Sequence, residues 1–256
     1  WSVWLNGRFL GSVSPVGSRT ASQRTFTFPP GALRIGADNV LSVLVENMGH
    51  NEDYRRNDTH KEARGLTGAV LLDGGSGEVT WRLQGARGGE ELFDKARGQM
   101  NNGGLYGERA GWSLPRFPDH DWATVSLPNP DQRPGVSWYR TTARLDLPRG
   151  QDTSVGLRID DPTRRAHRAQ IFVNGWLMGR YISNVGPQKS FPIPTGILNP
   201  NGVNTIALAV WNADASTGGL GRVSLESYGT YLSPLRTSMV NSPAYARGRY
   251  TFDPAG

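Results

Sequence analysis

The sequence predicts an all-β protein made of two related β domains. Three observations predict it: a composition hostile to helices, recurrent period-2 alternation, and an internal repeat. The chain has 256 residues, of which 33 are Gly and 17 are Pro. Both residues punctuate helices and favour turns. No stretch carries a clean 3.6-residue period beyond a short helical turn around Glu90–Arg97. Alternation instead recurs in short runs that end in Gly, Pro, Asn or Asp, the pattern of a sandwich or barrel.

The strands come in chain order. Two Asn-Gly pairs sit between strand-like runs, in Val3-Trp-Leu-Asn6-Gly7-Arg-Phe-Leu10 and Ile171-Phe-Val-Asn174-Gly175-Trp-Leu-Met178. Asn-Gly suits a type I′ turn, in which both central residues need positive φ, so each pair predicts a hairpin. Leu41, Val43 and Val45 alternate with Ser42 and Leu44. Trp138, Arg140, Thr142 and Arg144 alternate with Tyr139, Thr141, Ala143 and Leu145. Ile206, Leu208 and Val210 alternate with Ala207 and Ala209. Trp4, Trp81, Trp138 and Trp211 fall inside strand patterns and are expected in the core.

The two hairpins open two copies of one repeat. Phe26-Thr-Phe28-Pro-Pro-Gly31-Ala-Leu33 matches Phe191-Pro-Ile193-Pro-Thr-Gly196-Ile-Leu198. Asn39-Val-Leu41-Ser-Val43-Leu-Val45-Glu-Asn47 matches Asn204-Thr-Ile206-Ala-Leu208-Ala-Val210-Trp-Asn212. The loop from Gly11 to Phe26 is three residues longer than that from Gly179 to Phe191. The second copy has ample chain before its hairpin, and the first has almost none. The expected division is residues 1–76 and 77–256, with the boundary near Asp73–Val79. The first domain is expected to lack its opening strands, as if the polypeptide were cut inside a domain. An upstream peptide or strand exchange between two copies would fill the gap.

Composition excludes several classes of function. The absence of Cys removes disulfides, thiolate metal sites and a cysteine nucleophile. The net charge of +6 is spread without a basic run, so no nucleic-acid partner is expected. The longest apolar run, Thr205–Trp211, falls far short of a bilayer span, and no membrane partner is expected. The N-terminal residues do not form a signal peptide.

Several segments together resemble a known family. They are Ser2-Val-Trp-Leu-Asn-Gly-Arg-Phe-Leu-Gly-Ser12, Glu46-Asn-Met-Gly-His50, Arg64-Gly65-Leu66 and Gly103-Gly-Leu-Tyr-Gly-Glu-Arg109. Ile171–Tyr181, Asn184-Val-Gly-Pro-Gln188 and Phe191–Asn199 complete the set. In this order they resemble the C-terminal jelly-roll domains, of galactose-binding-like fold, of family 35 glycoside hydrolases. These are large, secreted β-galactosidases. The resemblance implies two jelly rolls that wrap a catalytic (β/α)₈ barrel and follow further β domains, the first of them incomplete here. The family's two catalytic glutamates lie in the barrel, and no position here matches their motifs. The implied role is a structural clamp without catalytic residues of its own. The other roles considered are an independent carbohydrate-binding module for galactose-containing glycans and a stand-alone lectin. The resemblance also implies an extracellular location.

A retaining glycosidase needs two carboxyls flanking the sugar bond. The adjacent pairs Glu90-Glu91 and Asp160-Asp161 would face opposite sides of a strand. The four histidines and the serines form no recognisable triad, and there is no Gly-x-Ser-x-Gly elbow. His50-Asn-Glu52-Asp53-Tyr-Arg-Arg-Asn-Asp58-Thr-His60-Lys-Glu62 is rich in possible ligands but is read as a polar loop. No cofactor is expected beyond a structural calcium, which family habit would allow. Trp112, Trp122 and Trp176 lie near turns with polar neighbours and are the candidates for stacking on galactose, against a packing role. Gly103–Arg109 lacks the Gly-Lys-Ser/Thr ending of a phosphate loop, and no helix pattern follows it. It reads as structural: its glycines allow a tight turn around Tyr106, and Glu108 and Arg109 are expected to pair at a domain junction. Arg64 is expected to be an architectural arginine. Asn57-Asp58-Thr59 is a glycosylation sequon.

Overall fold

The computed structural model describes residues 1–13, 23–46, 65, 66, 68, 70, 72, 73, 79–85, 94–232 and 245–246. Within 94–232 it leaves aside 95, 99, 102, 132, 162–166, 185, 187 and 214–218. The loop at 50–62, Arg64, Asn47 and the sequon at 57–59 lie outside the described residues, as do 74–78 of the expected boundary. Of the helical turn expected around Glu90–Arg97, residues 90–93 also lie outside. Asp94 onwards closes one turn, in which Gly98 N–H donates to the Asp94 carbonyl at 2.7 Å.

The chain divides into two compact units. One comprises Trp1–Trp81 with Ala213–Ala215, and the other Arg82–Asn212 with Ser216–Gly256. The strands are antiparallel throughout the described residues.

In the first unit, β1 (Ser2–Leu5) and β2 (Arg8–Ser12) form the hairpin, and β3 (Leu41–Leu44) pairs on the other side of β1. Asn6 and Gly7 take φ of 51° and 80°, the type I′ requirement that the Asn-Gly pair predicts. Val3 and Leu5 are buried. Trp81, expected in the core, is 49% exposed, and residues 79–85 pair with no strand among the described residues.

In the second unit, seven strands build two facing sheets. β4 (Gly135–Arg144), β9 (Val203–Asn212), β6 (His167–Val173) and β7 (Trp176–Ile182) form one sheet in that spatial order. β10 (Arg222–Tyr231), β5 (Asp152–Asp160) and β8 (Ser190–Ile193) form the other. Val155, Leu157 and Ile159 of β5 pack against Ile171, Val173, Leu208 and Val210. The opposite face of β9 is covered too: Ala207 and Ala209 pack with Phe172, Trp138, Leu177 and Leu105. A central strand buried on both faces explains why β9 reads as an almost continuous apolar run. Its small Ala side points to the face that carries the large aromatics.

Candidate functional site

The Gly103–Arg109 segment and the aromatic residues after it lie over that Ala face of β9. Leu105 N-caps a single helical turn, α1 (Tyr106–Arg109), where the sequence pattern predicts no helix. Each glycine of the motif has a physical reason. A Cβ on Gly103 would collide with Gln170 Oε1 of β6 and come within 2.7 Å of Glu108 Oε2. Gly104 has φ of 77°, in the left-handed region that glycine adopts freely. A Cβ on Gly107 would collide with Trp112 and come within 2.5 Å of Trp138.

Glu108 and Arg109 both fold back on the glycine turn. The Glu108 carboxylate accepts the Gly103 and Gly104 N–H groups at 3.2 and 2.8 Å. Burial pushes its pKa up, against the pull of those two N–H groups and of Arg109 and Arg180. Arg109 donates to the Gly104 carbonyl at 2.7 Å and to Gln84 Oε1 at 2.9 Å, and burial lowers its pKa. Gln170 adds a bond from its Nε2 to the Gly103 carbonyl at 3.0 Å. This carboxylate is therefore committed to backbone donors and holds a turn in shape.

Trp112 is the hub of the aromatic cluster. Tyr106, Trp122 and Trp138 meet it edge-on at centroid distances of 5.7, 5.5 and 5.8 Å. Trp138 in turn stacks on Phe172 at 5.4 Å. Phe117 contacts Trp122 and Tyr245. Three edge-to-face partners use both the ring and its rim, which is how aromatic groups pack in a core. Tyr106 stays 53% exposed at the cluster's margin.

Arg140 of β4 ties this layer together. Its guanidinium donates to Asp119 Oδ2 at 2.9 Å, to the Leu114 carbonyl at 3.3 Å and to the Trp112 carbonyl, and lies 5.4 Å from the Phe117 ring centre. Sequence reasoning missed it as a site residue. The signal was present: the β4 alternation places Arg140 on the same face as Trp138, and an arginine on an aromatic face calls for partners.

Trp176 lies elsewhere, as the first residue of β7 after the Asn174-Gly175 turn, and no ring pair among the described residues includes it. That turn is fixed by a second missed residue. Asn101 Nδ2 donates to the Gly175 carbonyl at 2.5 Å, and its Oδ1 accepts Leu177 N–H at 2.9 Å. A Cβ on Gly175 would come within 2.9 Å of Arg97, which is buried with its ion-pair partner Asp94. The structure thus brings Trp112 and Trp122 together with Tyr106, Glu108 and Arg109, and sets Trp176 apart. No three His, Cys, Asp or Glu side chains converge among the described residues, and the loop weighed for calcium lies outside them.

Comparison with known proteins adds to this geometry. A family model described as "Beta-galactosidase second all-beta domain" matches residues 1–51 and 106–216, which include both copies of the repeat. The probable beta-galactosidase A of Aspergillus phoenicis is 37% identical over 253 residues, covering 96% of this chain and 24% of that protein. The beta-galactosidase A of Aspergillus niger is 36% identical over the same length, with the same coverage. The probable beta-galactosidase C of Aspergillus fumigatus is 37% identical over 91% of this chain and 24% of its own. The chain spans about a quarter of the length of these curated relatives. Among solved structures, Bacteroides uniformis beta-glucuronidase shares 25% identity over 46% of this chain and 16% of its own, with a TM-score of 0.36.

Proposed function

From the premise that the chain belongs to the family of β-galactosidase second all-beta domains, we propose that it is a non-catalytic C-terminal region of a larger β-galactosidase. It belongs to glycoside hydrolase family 35 in this reading, with two jelly rolls spanning residues 1–76 and 77–256. The parent is secreted and hydrolyses terminal β-galactosides with retention, through carboxylates outside this region. This region clamps the catalytic barrel. The observation that carries the reading is coverage: relatives align over almost the whole of this chain and over only a quarter of themselves. The local chemistry supports it, because Glu108 and Arg109 are spent on holding a backbone turn.

The test is a parent-length chain with and without residues 1–256, assayed on a nitrophenyl β-galactoside. A clamp predicts that deletion shortens the thermal half-life of activity, and that the isolated region hydrolyses nothing. Hydrolysis by the isolated region, or an unchanged half-life on deletion, overturns the reading. A second reading is favoured by the 53% exposure of Tyr106 beside Trp112: sugar contact at Trp112, Trp122 or Trp176. Trp122→Ala in a sugar titration tests it, with loss of saturable heat expected.

A further inference from the structure

The outer face of the β10-β5-β8 sheet carries an aromatic ring that reaches from β10 over β5 to β8. The ring is Tyr228 of β10. The register of β10 against β5 shifts between Ser227 and Gly229, so Tyr228 is the extra residue of a β-bulge. Gly229 beside it has φ of 121°, a conformation that favours glycine. Bulges of this kind re-aim a side chain and recur beside functional sites. The ring then crosses Gly156 of β5: a Cβ there would collide with the phenol oxygen and come within 2.5 Å of Cζ. The phenol oxygen reaches the Ser190 hydroxyl on β8. Three strands, a bulge and a glycine gap thus fix one ring against the sheet, yet it is 40% exposed.

Polar groups line one side of that ring. Ser190 Oγ also bonds Glu226, whose other oxygen lies 3.9 Å from Arg158 Nη1. Arg158 makes a bidentate bond to Asp160, 2.9 Å on each arm. The result is a flat apolar surface bordered by fixed donors and acceptors of both signs. A phosphate would meet the two carboxylates of Asp160 and Glu226 beside Arg158. A pyranose suits them, because its axial C–H face packs on a ring while its hydroxyls both donate and accept.

We infer that Tyr228, with Arg158, Glu226 and Asp160 beside it, forms a binding platform for a pyranose unit of a glycan. Tyr228 and Glu226 of β10 lie beyond the matched residues 106–216, whereas Arg158, Asp160 and Ser190 lie within them. It occupies a different face from the Trp112–Trp122 cluster and does not depend on the clamp reading.

Affinity electrophoresis of the 256-residue chain through soluble β-1,4-galactan tests it, with lactose titrations by calorimetry as the second measurement. The unsubstituted chain is expected to be retarded and to give saturable heat. Tyr228→Ala is expected to weaken binding by at least ~10-fold, as loss of a central aromatic anchor does. Tyr228→Phe keeps the stacking face and is expected to stay within about threefold of the unsubstituted chain. Far-UV circular dichroism and thermal melting of each variant separate loss of the platform from loss of the fold. No binding of either probe by the folded, unsubstituted chain overturns the inference. So does binding that survives Tyr228→Ala and is lost in Trp122→Ala, an outcome that assigns the sugar to the aromatic cluster instead.

Discussion

The two copies of the repeat match atom for atom in their polar contacts and differ in what surrounds them. In the first, Asn6 Nδ2 donates to the Ala32 carbonyl at 2.9 Å and to Asn39 Oδ1 at 2.8 Å, while Val40 N–H donates to Asn6 Oδ1. In the second, Asn174 Nδ2 donates to the Ile197 carbonyl at 2.7 Å and to Asn204 Oδ1 at 2.8 Å, while Thr205 N–H donates to Asn174 Oδ1. Asn39 and Asn204 close the same loop, through the Arg34 backbone in one copy and the Asn199 backbone in the other. Both hairpins carry a register shift at the same place, between Val3 and Trp4 and between Ile171 and Phe172. Gly11 faces Phe26 as Gly179 faces Phe191.

The environments are unequal. Among the described residues the first unit has one three-stranded sheet, and the second has that same trio extended by β4 and faced by a second sheet. Asn39 is exposed, whereas Asn204 is fully buried. β3 is half-buried where β9 is buried on both faces. The comparison teaches that local polar wiring sets the shape of this hairpin unit. Its energetic weight comes from the layers packed on it, because a lost partner is costly only where water cannot replace it.

The largest expected effect comes from the paired strands. Leu208→Ala, in the core of the second unit, is expected to destabilise by about 2–5 kcal/mol, the range for emptying a buried site. The equivalent Val43→Ala lies on a half-buried strand and is expected to cost about 1 kcal/mol. Urea unfolding followed by probes in each unit reads both, and equal costs would break the comparison.

The loop asparagines come next. Asn204→Ala removes the partner of the half-buried Asn199 N–H and carbonyl and is expected to cost about 1–3 kcal/mol. Asn39→Ala exposes its partners to water and is expected to cost less than about 1 kcal/mol. Gly179→Ala then tests the shared glycine. A Cβ there meets Phe191 Cδ1 at 2.8 Å, and Phe191 is buried between the sheets. A cost of about 1–3 kcal/mol is expected from overpacking, and thermal melting of the single variant checks it.

The smallest effect is a difference in acid sensitivity. Asp131 lies near β4, the strand present only in the second unit's sheet among the described residues. Its carboxylate accepts from Arg133 Nε and Nη2 at 2.9 Å and from Ser137 Oγ at 3.1 Å. The Arg133 bond holds its pKa down at about 2, from an ordinary 3.8. A depressed pKa contributes stability that is present above 3.8 and is lost as pH falls towards 2. Asp131→Asn is expected to flatten that acid limb, as measured by melting temperature between those pH values. Unchanged acid sensitivity would show that the Asp131–Arg133 bond contributes nothing to the acid limb.

Much of this was legible in the sequence. The Asn-Gly pairs, the alternating runs and the residue-by-residue repeat all rest on local rules of turn geometry and pleat, and the strands fall where those rules place them. Trp81 was not legible, because a tryptophan in an alternating stretch is buried only if a neighbouring strand accepts it. The tight turn at Gly103–Arg109 was legible from its glycines, and Gly104 takes a φ of 77°. That Glu108 bonds Gly103 and Gly104 was not, since the partners of a buried carboxylate depend on how the chain closes. Tyr228 was invisible for the same reason. Its ring is aimed by a bulge in β10 and by a glycine in β5, which sequence does not show to be neighbours.

Native-state hydrogen exchange of the backbone amides tests the comparison most directly, because it reads the stability of each copy within one sample. Stability carried by packing predicts that amides of β6 and β9, around Ile171–Val173 and Ile206–Val210, exchange only through global unfolding of their unit. It predicts that the equivalent amides around Val3 and Val43 exchange orders of magnitude faster. Equal protection of the two copies would contradict it, and would mean that the wiring they share, rather than the layers packed on it, carries the stability.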